Sequence, residues 1–297
     1  MPNLPLSAAA AFALSSLGHA QNTPAALAHD PAPDKTFPAA MQTVQIPSQG
    51  ALLNGFVYLA AGAGPHPVVI LLHGFPGNER NLDLAQAIRR AGWDVLYFNY
   101  RGSWGTPGAF SFSHSIEDTA AAVAWLHDPA IVKHLRADPQ KIVLIGHSMG
   151  GFMAAYAGAQ DSSIRAVGLI SAANFGGMAL TAKAHTGDTA AKDIASHLAA
   201  EGMAPLAGCT PESLAHELLE HGTAWNISAL GPKLASRPVL IITSDDGSQP
   251  SSAALAEGLA KAGDTDVKQV HMATDHPYSD HRIALEQTVL EWIATLP

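Results

Sequence analysis

A glycine-flanked serine is the first feature of the sequence that could do chemistry. Ser148 lies in the segment GHSMG, residues 146–150, between a short apolar run and a stretch of small residues. Between a strand and a helix, this pattern forces the serine onto a tight, strained turn that lifts its hydroxyl above the sheet edge. The alternative is an N-cap serine at the start of an ordinary helix. The apolar run before Ser148 and the helical stretch after it favour a nucleophile.

A second glycine-rich turn supplies candidate amide donors. The segment HGFPGNE, residues 73–79, follows another apolar run. In such a turn one backbone N–H can complete an oxyanion hole, and the other N–H comes from the residue after the nucleophile. We therefore predict that the donors are the amides of Phe75 and Met149. The alternative is a plain strand-to-helix connection.

Three histidines near the C-terminus could act as the base that activates the serine. His271 lies in an alternating apolar segment and is expected to be fixed in a strand, whereas His281 directly precedes an amphipathic run from Arg282. His276 lies in the loop between them, before Pro277, which favours an extended or turn backbone. The chain order serine, acid, histidine also favours His276. His281 is the alternative base.

Two consecutive aspartates follow the apolar segment LIIT. Asp245 or Asp246 could fix the tautomer of the histidine and stabilise its imidazolium form. Both could also be turn residues, because Asp-Gly is a strong turn signal. These residues alone leave the choice between the two aspartates open.

Short β-branched runs alternate along the chain with alanine- and leucine-rich stretches, which predicts a mostly parallel α/β sheet flanked by helices. The apolar runs are continuous, as expected for strands buried on both faces. A leading hairpin is expected just before them. The predicted strands cover 66–74, 93–100, 141–147, 164–171, 237–244 and 267–273, and the predicted helices cover 81–92, 115–127, 149–159, 251–263 and 282–296.

One connection is much longer than the others. Residues 172–236 separate two predicted strands and have helical composition. A connection between neighbouring strands usually needs far fewer residues. We predict that they form a helical cap over one edge of the sheet. Trp104, in a glycine-rich loop, and His147, beside the nucleophile, are expected to line the substrate cleft.

Composition and charge exclude several classes of function. With 47% hydrophobic and 14% charged residues the chain can bury a large core, and its net charge of −9, with no basic run, gives no support for a nucleic-acid partner. The segment HELLEH, residues 216–221, resembles a zinc motif, but its histidines are five apart instead of four and do not share a helix face. Cys209 is the single cysteine and is expected to be a small buried hydrophobe. No metal is predicted.

The N-terminal residues have the composition of a targeting segment. Residues 1–20 contain an apolar, alanine-rich run closed by small residues, which predicts a signal peptide cleaved near Ala20, although no Lys or Arg precedes the run. The run is too short for an ordinary membrane span, so no stable membrane insertion is expected. Residues 21–42 are predicted to be a flexible leader. A secreted or periplasmic location follows from this interpretation.

Taken together, the His-Gly turn, the GHSMGG segment, the late aspartates and the last histidines resemble the α/β-hydrolase family over residues 43–296. The segment NYRGSWGTPGAFSF, residues 99–112, looks like a loop of the family's esterase and serine-peptidase branches. The resemblance implies one domain over 43–297 with an eight-stranded, mostly parallel sheet. It also implies that the acid is Asp246, with Asp245 as the alternative.

The expected function is therefore hydrolysis of a carboxylic ester through Ser148, His276 and Asp246 and an acyl-enzyme. This mechanism needs no metal or organic cofactor. A small-molecule ester is the expected substrate, because short helical caps make compact apolar pockets. A serine peptidase of the same fold, acting on a peptide, is one alternative. A ligand-binding protein that does not turn over is the other.

Overall fold

Eight strands form one sheet in the computed structural model, which describes residues 23–297. Their spatial order is β1-β2-β4-β3-β5-β6-β7-β8, with β1–β2 and β2–β4 antiparallel and every other pair parallel. The predicted α/β class and the leading hairpin are confirmed. The strands are β1 (Ala40–Ser48), β2 (Ala51–Leu59), β3 (His66–Leu72), β4 (Asp94–Phe98), β5 (Ala137–His147), β6 (Ile164–Ile170), β7 (Val239–Thr243) and β8 (Val267–His271).

Helices cover both faces of this sheet, which is why the central strands are apolar throughout. Along β5, Ile142 and Leu144 pack into the core on one face, and Val143 and Ile145 pack into the core on the other. The helices are α1 (Ala25–Ala28), α2 (Leu82–Arg90), α3 (Phe112–Leu126), α4 (Pro129–Leu135), α5 (Met149–Gln160), α6 (Phe175–Thr186), α7 (Ala190–Ala200), α8 (Pro211–His221), α9 (Gly231–Leu234), α10 (Gln249–Lys261) and α11 (Arg282–Ile293).

The long connection between β6 and β7 contains the helices α6, α7 and α8, which pack on one another around buried Ile194, Leu198, Leu214 and Leu218. The helix α8 includes the HELLEH segment. Its Glu217 carboxylate accepts hydrogen bonds from the backbone N–H groups at the start of α3, at 2.9 and 2.8 Å. An acidic side chain is favourable there because the N-terminus of a helix carries unpaired N–H groups and a positive partial charge.

Residues 23–42, which fall within the flexible leader predicted for 21–42, include helix α1 and the start of β1. Helix α1 packs against α2 and α11, with Ala26 buried and its carbonyl accepting a hydrogen bond from Arg90 Nε at 2.5 Å. Strand β1 begins at Ala40, inside the predicted leader. The predicted signal peptide, residues 1–20, lies outside the described residues and stays a prediction. From residue 23 onward, no helix has the length and apolar character needed to cross a membrane.

A buried ion pair connects the hairpin, the loop after β4 and helix α3. The Asp118 carboxylate accepts from Ser48 Oγ at 2.6 Å, from the Arg101 backbone N–H at 2.7 Å and from Arg101 Nε at 2.6 Å. Asp118 is fully buried and Arg101 nearly so. Glu117 is a second partner of the Arg101 guanidinium but is half-exposed.

We predict that Asp118→Ala lowers the free energy of unfolding by about 3–5 kcal/mol, because it leaves the Arg101 guanidinium buried without its main counter-charge. Glu117→Ala is the matched control and is expected to change this free energy by less than about 1 kcal/mol, since its partner contact is solvent-screened. Urea unfolding followed by circular dichroism measures both. Equal effects of the two substitutions would contradict this account of the ion pair.

Candidate active site

The turn that carries Ser148 is strained and leaves no room for side chains on its glycines. Ser148 joins β5 to α5 with φ 57° and ψ −119°, a conformation that non-glycine residues rarely adopt. A Cβ on Gly146 would lie 2.0 Å from the Gly150 carbonyl oxygen, and a Cβ on Gly150 would lie 2.0 Å from the Leu72 carbonyl oxygen. The predicted tight, strained turn at Ser148 is thus present. Glycine is required at both positions because backbone approaches backbone too closely there for a side chain.

The two predicted amide donors flank this turn. Met149 is the first residue of α5, and Phe75 lies in the turn after β3, where Gly74 packs so closely that a Cβ on it would lie 3.0 Å from Ser148 Cβ. Both Phe75 and Met149 line the cavity that contains Ser148. In the part of the chain that the structure describes, neither backbone N–H donates a hydrogen bond. They are therefore available to an oxygen atom in the cavity.

Asp246 and His276 form a close pair beside Ser148. His276 Nδ1 lies 2.6 Å from Asp246 Oδ2, and the Asp246 side chain is almost fully buried whereas the His276 side chain is 43% exposed. Burial raises the pKa of the Asp246 carboxyl, but hydrogen bonds from His276 and Ser248 outweigh it and hold the pKa far below its usual range. Asp246 is therefore a carboxylate, and His276 carries its hydrogen on Nδ1.

The alternative acid and base lie in other pairs. Asp245 contacts His271 at 3.2 Å, and both side chains are exposed. His271 ends β8, where its Nδ1 also lies 3.0 Å from Thr243 Oγ1. His281 is the N-cap residue of α11 and pairs with exposed Asp280. Neither Asp245 nor His281 lines the cavity that contains Ser148.

Ser148, Asp246 and His276 line one cavity of about 990 Å³ between the sheet edge and the cap. Among the described residues no hydrogen bond joins the Ser148 hydroxyl to the His276 ring, a contact that in unliganded enzymes often tightens only with substrate. The cap contributes mostly apolar and small side chains to this cavity. They come from α6 and the end of α7: Phe175, Gly177, Met178, Thr181, Ala182, His197, Leu198 and Glu201.

Two residues expected to contact substrate do not line this cavity. The Trp104 indole N–H donates to the Pro76 carbonyl at 2.7 Å, and the Arg80 guanidinium lies 4.1 Å above the Trp104 ring. His147 is buried, with Nε2 2.9 Å from the His276 carbonyl oxygen. Neither residue is among those that line the cavity containing Ser148, and each side chain contacts a backbone carbonyl on a neighbouring loop.

A set of buried hydroxyl groups supports the strand ends and was not predicted from the sequence. Ser171 Oγ lies 2.8 Å from Tyr278 Oη and 3.0 Å from Ser244 Oγ, and it also favours the ionised form of Asp246. Ser171 and Tyr278 both have positive φ values, 43° and 58°. Serine and tyrosine are common residues, so their types alone do not indicate this set. Only the positions of Ser171 and Ser244 at the ends of predicted strands could have indicated it from the sequence.

From residue 23 onward, no group of three or more histidine, cysteine, aspartate or glutamate side chains is arranged to hold a metal ion. Cys209, expected to be buried, is only partly so.

Two buried histidines make the stability of the fold dependent on pH. Burial lowers the pKa of His73 from 6.5 to about 4 and that of His147 from 6.5 to about 3. As the pH falls below 6.5, the unfolded chain binds protons on these rings that the folded chain does not bind. The free energy of unfolding therefore falls with pH across this window.

We predict that acidification from pH 7 to pH 4 removes on the order of 3 kcal/mol of stability through each of these histidines. His147→Gln cannot titrate, so its free energy of unfolding should fall less steeply than that of the wild type over this range. The exposed His127→Gln is the control and should follow the wild type. Urea titrations at a series of pH values measure the slopes, and parallel wild-type and His147→Gln curves would contradict the prediction.

Comparison with known proteins gives partial sequence relatives. The chain is 31% identical over 125 residues to Rv2307c, a protein of Mycobacterium tuberculosis described as uncharacterized, covering 42% of this chain and 43% of that protein. It is 34% identical over 108 residues to an uncharacterized 31.7 kDa protein of the traX-finO intergenic region of Escherichia coli, covering 34% and 36%. The chain thus spans less than half the length of the curated relatives it matches.

Solved structures match over most of the chain. An esterase of Pyrococcus furiosus superposes with a TM-score of 0.64 at 17% identity, covering 87% of this chain and 92% of that one. A carboxyl esterase of Bacillus coagulans gives a TM-score of 0.63 at 17% identity, covering 86% and 99%. At such identity the likeness is one of fold. The family model of the alpha/beta hydrolase fold matches residues 67–243, from β3 to the end of β7. With its eight-stranded sheet and the serine turn after β5, this chain belongs to the α/β-hydrolase family.

Proposed function

We propose that the protein is a serine hydrolase that cleaves carboxylic esters through Ser148, His276 and Asp246. The observation that carries the proposal is the shared cavity. A serine on a strained turn, two unpaired backbone amides and a histidine paired with a buried carboxylate all line it. Each component has a defined task in acyl transfer, and a chance gathering of all of them in one cavity is improbable.

In the proposed reaction, His276 Nε2 takes the proton of Ser148 Oγ, because the hydrogen on Nδ1 is held by Asp246. Oγ attacks the ester carbonyl, and the amides of Phe75 and Met149 donate to the oxygen that becomes negative. The C–O bond to the alcohol then breaks as His276 returns the proton to that alcohol. Water, activated by the same nitrogen, attacks the acyl-enzyme and releases the acid and Ser148.

The ionised state of Asp246 favours this cycle. As His276 accepts the proton it becomes an imidazolium, and the carboxylate 2.6 Å from Nδ1 stabilises that charge. A carboxyl group on a flexible loop, with an ordinary pKa, would stabilise the imidazolium charge less. Asp246 is held by Ser248, whose backbone N–H donates to Oδ1 at 2.9 Å. The acid therefore enters the reaction charged and fixed in position.

The cavity supports an ester substrate with an apolar acyl group. Phe75, Met149, Phe175, Met178 and Leu198 offer aromatic, thioether and aliphatic surface within about 990 Å³. Such a lining favours an acyl chain or ring over an extended polar peptide backbone. The solved structures reported above are themselves described as esterases, which agrees with this choice.

The experiment that tests the function combines two substrate series with an active-site probe. p-Nitrophenyl esters of graded chain length are compared with aminoacyl and peptidyl nitroanilides, and labelling by a fluorophosphonate is measured alongside. Ester cleavage together with labelling supports the proposal. Cleavage of the anilides alone would support a peptidase, and the absence of both turnover and labelling would support a ligand-binding protein.

We predict that Ser148→Ala loses ester hydrolysis by roughly three or more orders of magnitude, as is typical when a triad nucleophile is removed. The loss of one partly buried hydroxyl should leave the melting temperature nearly unchanged. The exposed Ser162→Ala is the control and should retain full activity and labelling. Unchanged hydrolysis by purified Ser148→Ala would rule out the mechanism.

We predict that His276→Ala also loses roughly three orders of magnitude in kcat, whereas His281→Ala keeps most of it, because only His276 lines the cavity. Both variants are compared with the same ester, with folding checked by circular dichroism. An inactive His281→Ala beside a nearly normal His276→Ala would mean that the base has been misassigned.

A further inference from the structure

His147 connects the residue before the nucleophile to the loop that carries the base. It is the last residue of β5, directly before Ser148, and is only 3% exposed. Its Nε2 lies 2.9 Å from the backbone carbonyl oxygen of His276, and the two ring centroids are 4.6 Å apart. The contact spans 129 positions in the sequence and joins the end of β5 to the loop that follows β8.

The direction of this hydrogen bond fixes the state of the His147 ring. A carbonyl oxygen can only accept, so the hydrogen must be on Nε2. Nδ1 is buried and has no partner among the residues described. Burial, followed by the nearby charge of His276, lowers the pKa of His147 to about 3, so the ring is neutral at any ordinary pH. A single neutral tautomer is therefore present.

We infer that His147 is a positioning residue of the proposed reaction, which holds the backbone of His276 at a set distance from Ser148. The inference rests on the proposed function. His147 is covalently joined to Ser148, and its ring donates to the backbone of His276. The distance between the proposed nucleophile and the proposed base therefore depends directly on this one side chain. A displacement of about 1 Å at a reacting pair can reduce the rate a hundredfold, so a contact of this kind has a large effect on turnover.

The other anchors of the His276 loop do not replace this contact. Arg282 Nη1 donates to the Pro277 carbonyl at 2.9 Å, and Tyr278 is fixed through Ser171. Both act on residues that follow His276, and on the preceding side the Asp245 backbone N–H donates to the Thr274 carbonyl at 3.0 Å. The His276 side chain is itself 43% exposed and is held through Nδ1 by Asp246. Among the described residues, the bond from His147 is the one that reaches the backbone carbonyl of His276 itself.

The neutrality of His147 is also required by the charge that develops beside it. His276 becomes positive when it takes the serine proton, and the His147 ring is close to it. The charged groups acting on His147 are His276, Arg282 and Asp246. A second positive ring at 4.6 Å would oppose protonation of His276. A buried histidine that donates through Nε2 without becoming charged satisfies both requirements, which a lysine or arginine would not.

The test compares His147→Leu, which has no donor, with His147→Gln, whose side-chain amide can donate to the same carbonyl. We expect His147→Leu to lower kcat by roughly 10–100-fold with KM changed by less than about threefold, and to slow fluorophosphonate labelling in parallel. His147→Gln should recover to within about fivefold of the wild type. His127→Leu, an exposed histidine remote from the cavity, is the control and should match the wild type.

Nuclear magnetic resonance provides a readout that does not depend on turnover. Long-range ¹H–¹⁵N spectra of the wild type should show His147 with its hydrogen on Nε2 at neutral pH, and His147→Leu should shift the His276 ring signals. A folded His147→Leu with wild-type kcat and labelling rate would overturn the inference. So would a His147→Gln no better than His147→Leu, or a His147 hydrogen on Nδ1.

The two proposals fail in different ways. If the wild type cleaves no ester and reacts with no probe, the proposed function fails, and the positioning role in catalysis fails with it, while the spectra still decide whether the bond exists. If the wild type is active and only the His147 variants behave unexpectedly, the proposed function stands and the inference alone is overturned.

Discussion

The absence of side chains at two glycines is the constraint on which the rest of the site depends. Gly146 and Gly150 let the first turn of α5 approach the ends of β3 and β5 more closely than any other residue would allow. That approach fixes the strained backbone of Ser148, whose amide donates to the Ile170 carbonyl at 2.9 Å and whose carbonyl accepts from Ala173. Ser148 is thus held by backbone contacts on both sides, and the strain is maintained by the packed sheet beneath it.

The electrostatics of the site follow from differences in burial between neighbouring groups. Asp246 is buried yet ionised because hydrogen bonds from His276 and Ser248 outweigh its burial, while burial keeps the His147 and His73 rings neutral although each also contacts a backbone carbonyl. The His276 side chain, paired with Asp246, is 43% exposed. In the proposed reaction it accepts and returns the proton beside groups whose charge is fixed by their surroundings.

Local pattern was sufficient to predict the parallel strands, the main helices beside them and two of the turns, but not the short helices α1 and α4. The GHSMG segment and the HGFPG turn have backbone requirements that are visible in a few consecutive residues, so the turns that carry Ser148 and Phe75 could be inferred. The Asp-Gly pair indicated a turn but left Asp245 and Asp246 open, and the choice of Asp246 came from the resemblance to the family. Continuous apolar runs predicted the parallel strands to within a few residues. The predicted and observed bounds of the strands differ mainly at their ends, where the last predicted residues lie in the loops and are not paired in the sheet.

What could not be predicted is the direction of side chains that depend on distant backbone. Trp104 and His147 have suitable chemistry and lie near the Ser148 turn, but each donates to a backbone carbonyl on another loop. The buried hydroxyl of Tyr278 is placed by a contact 107 positions away in the sequence. The packing of α1 similarly depends on α2 and on α11 at the far end of the chain, which local composition does not reveal.

The two hydrogen bonds from the start of α3 to Glu217 give the cap an asymmetric attachment. Displacing α8 would expose two helix-terminal amides and separate them from a carboxylate, so this side of the cap is tied to the helix layer of the main domain. The helices α6 and α7 line the cavity, and no comparable contact joins α7 to α3 in the described chain. The loop before α8 is attached to the same side, because the Trp104 and Phe110 backbone N–H groups donate to the carbonyls of Pro205 and Ala207 at 3.0 and 2.8 Å. The attachments of the cap to the 102–113 segment are therefore made by α8 and the loop that precedes it, whereas α6 and the end of α7 form the wall of the cavity.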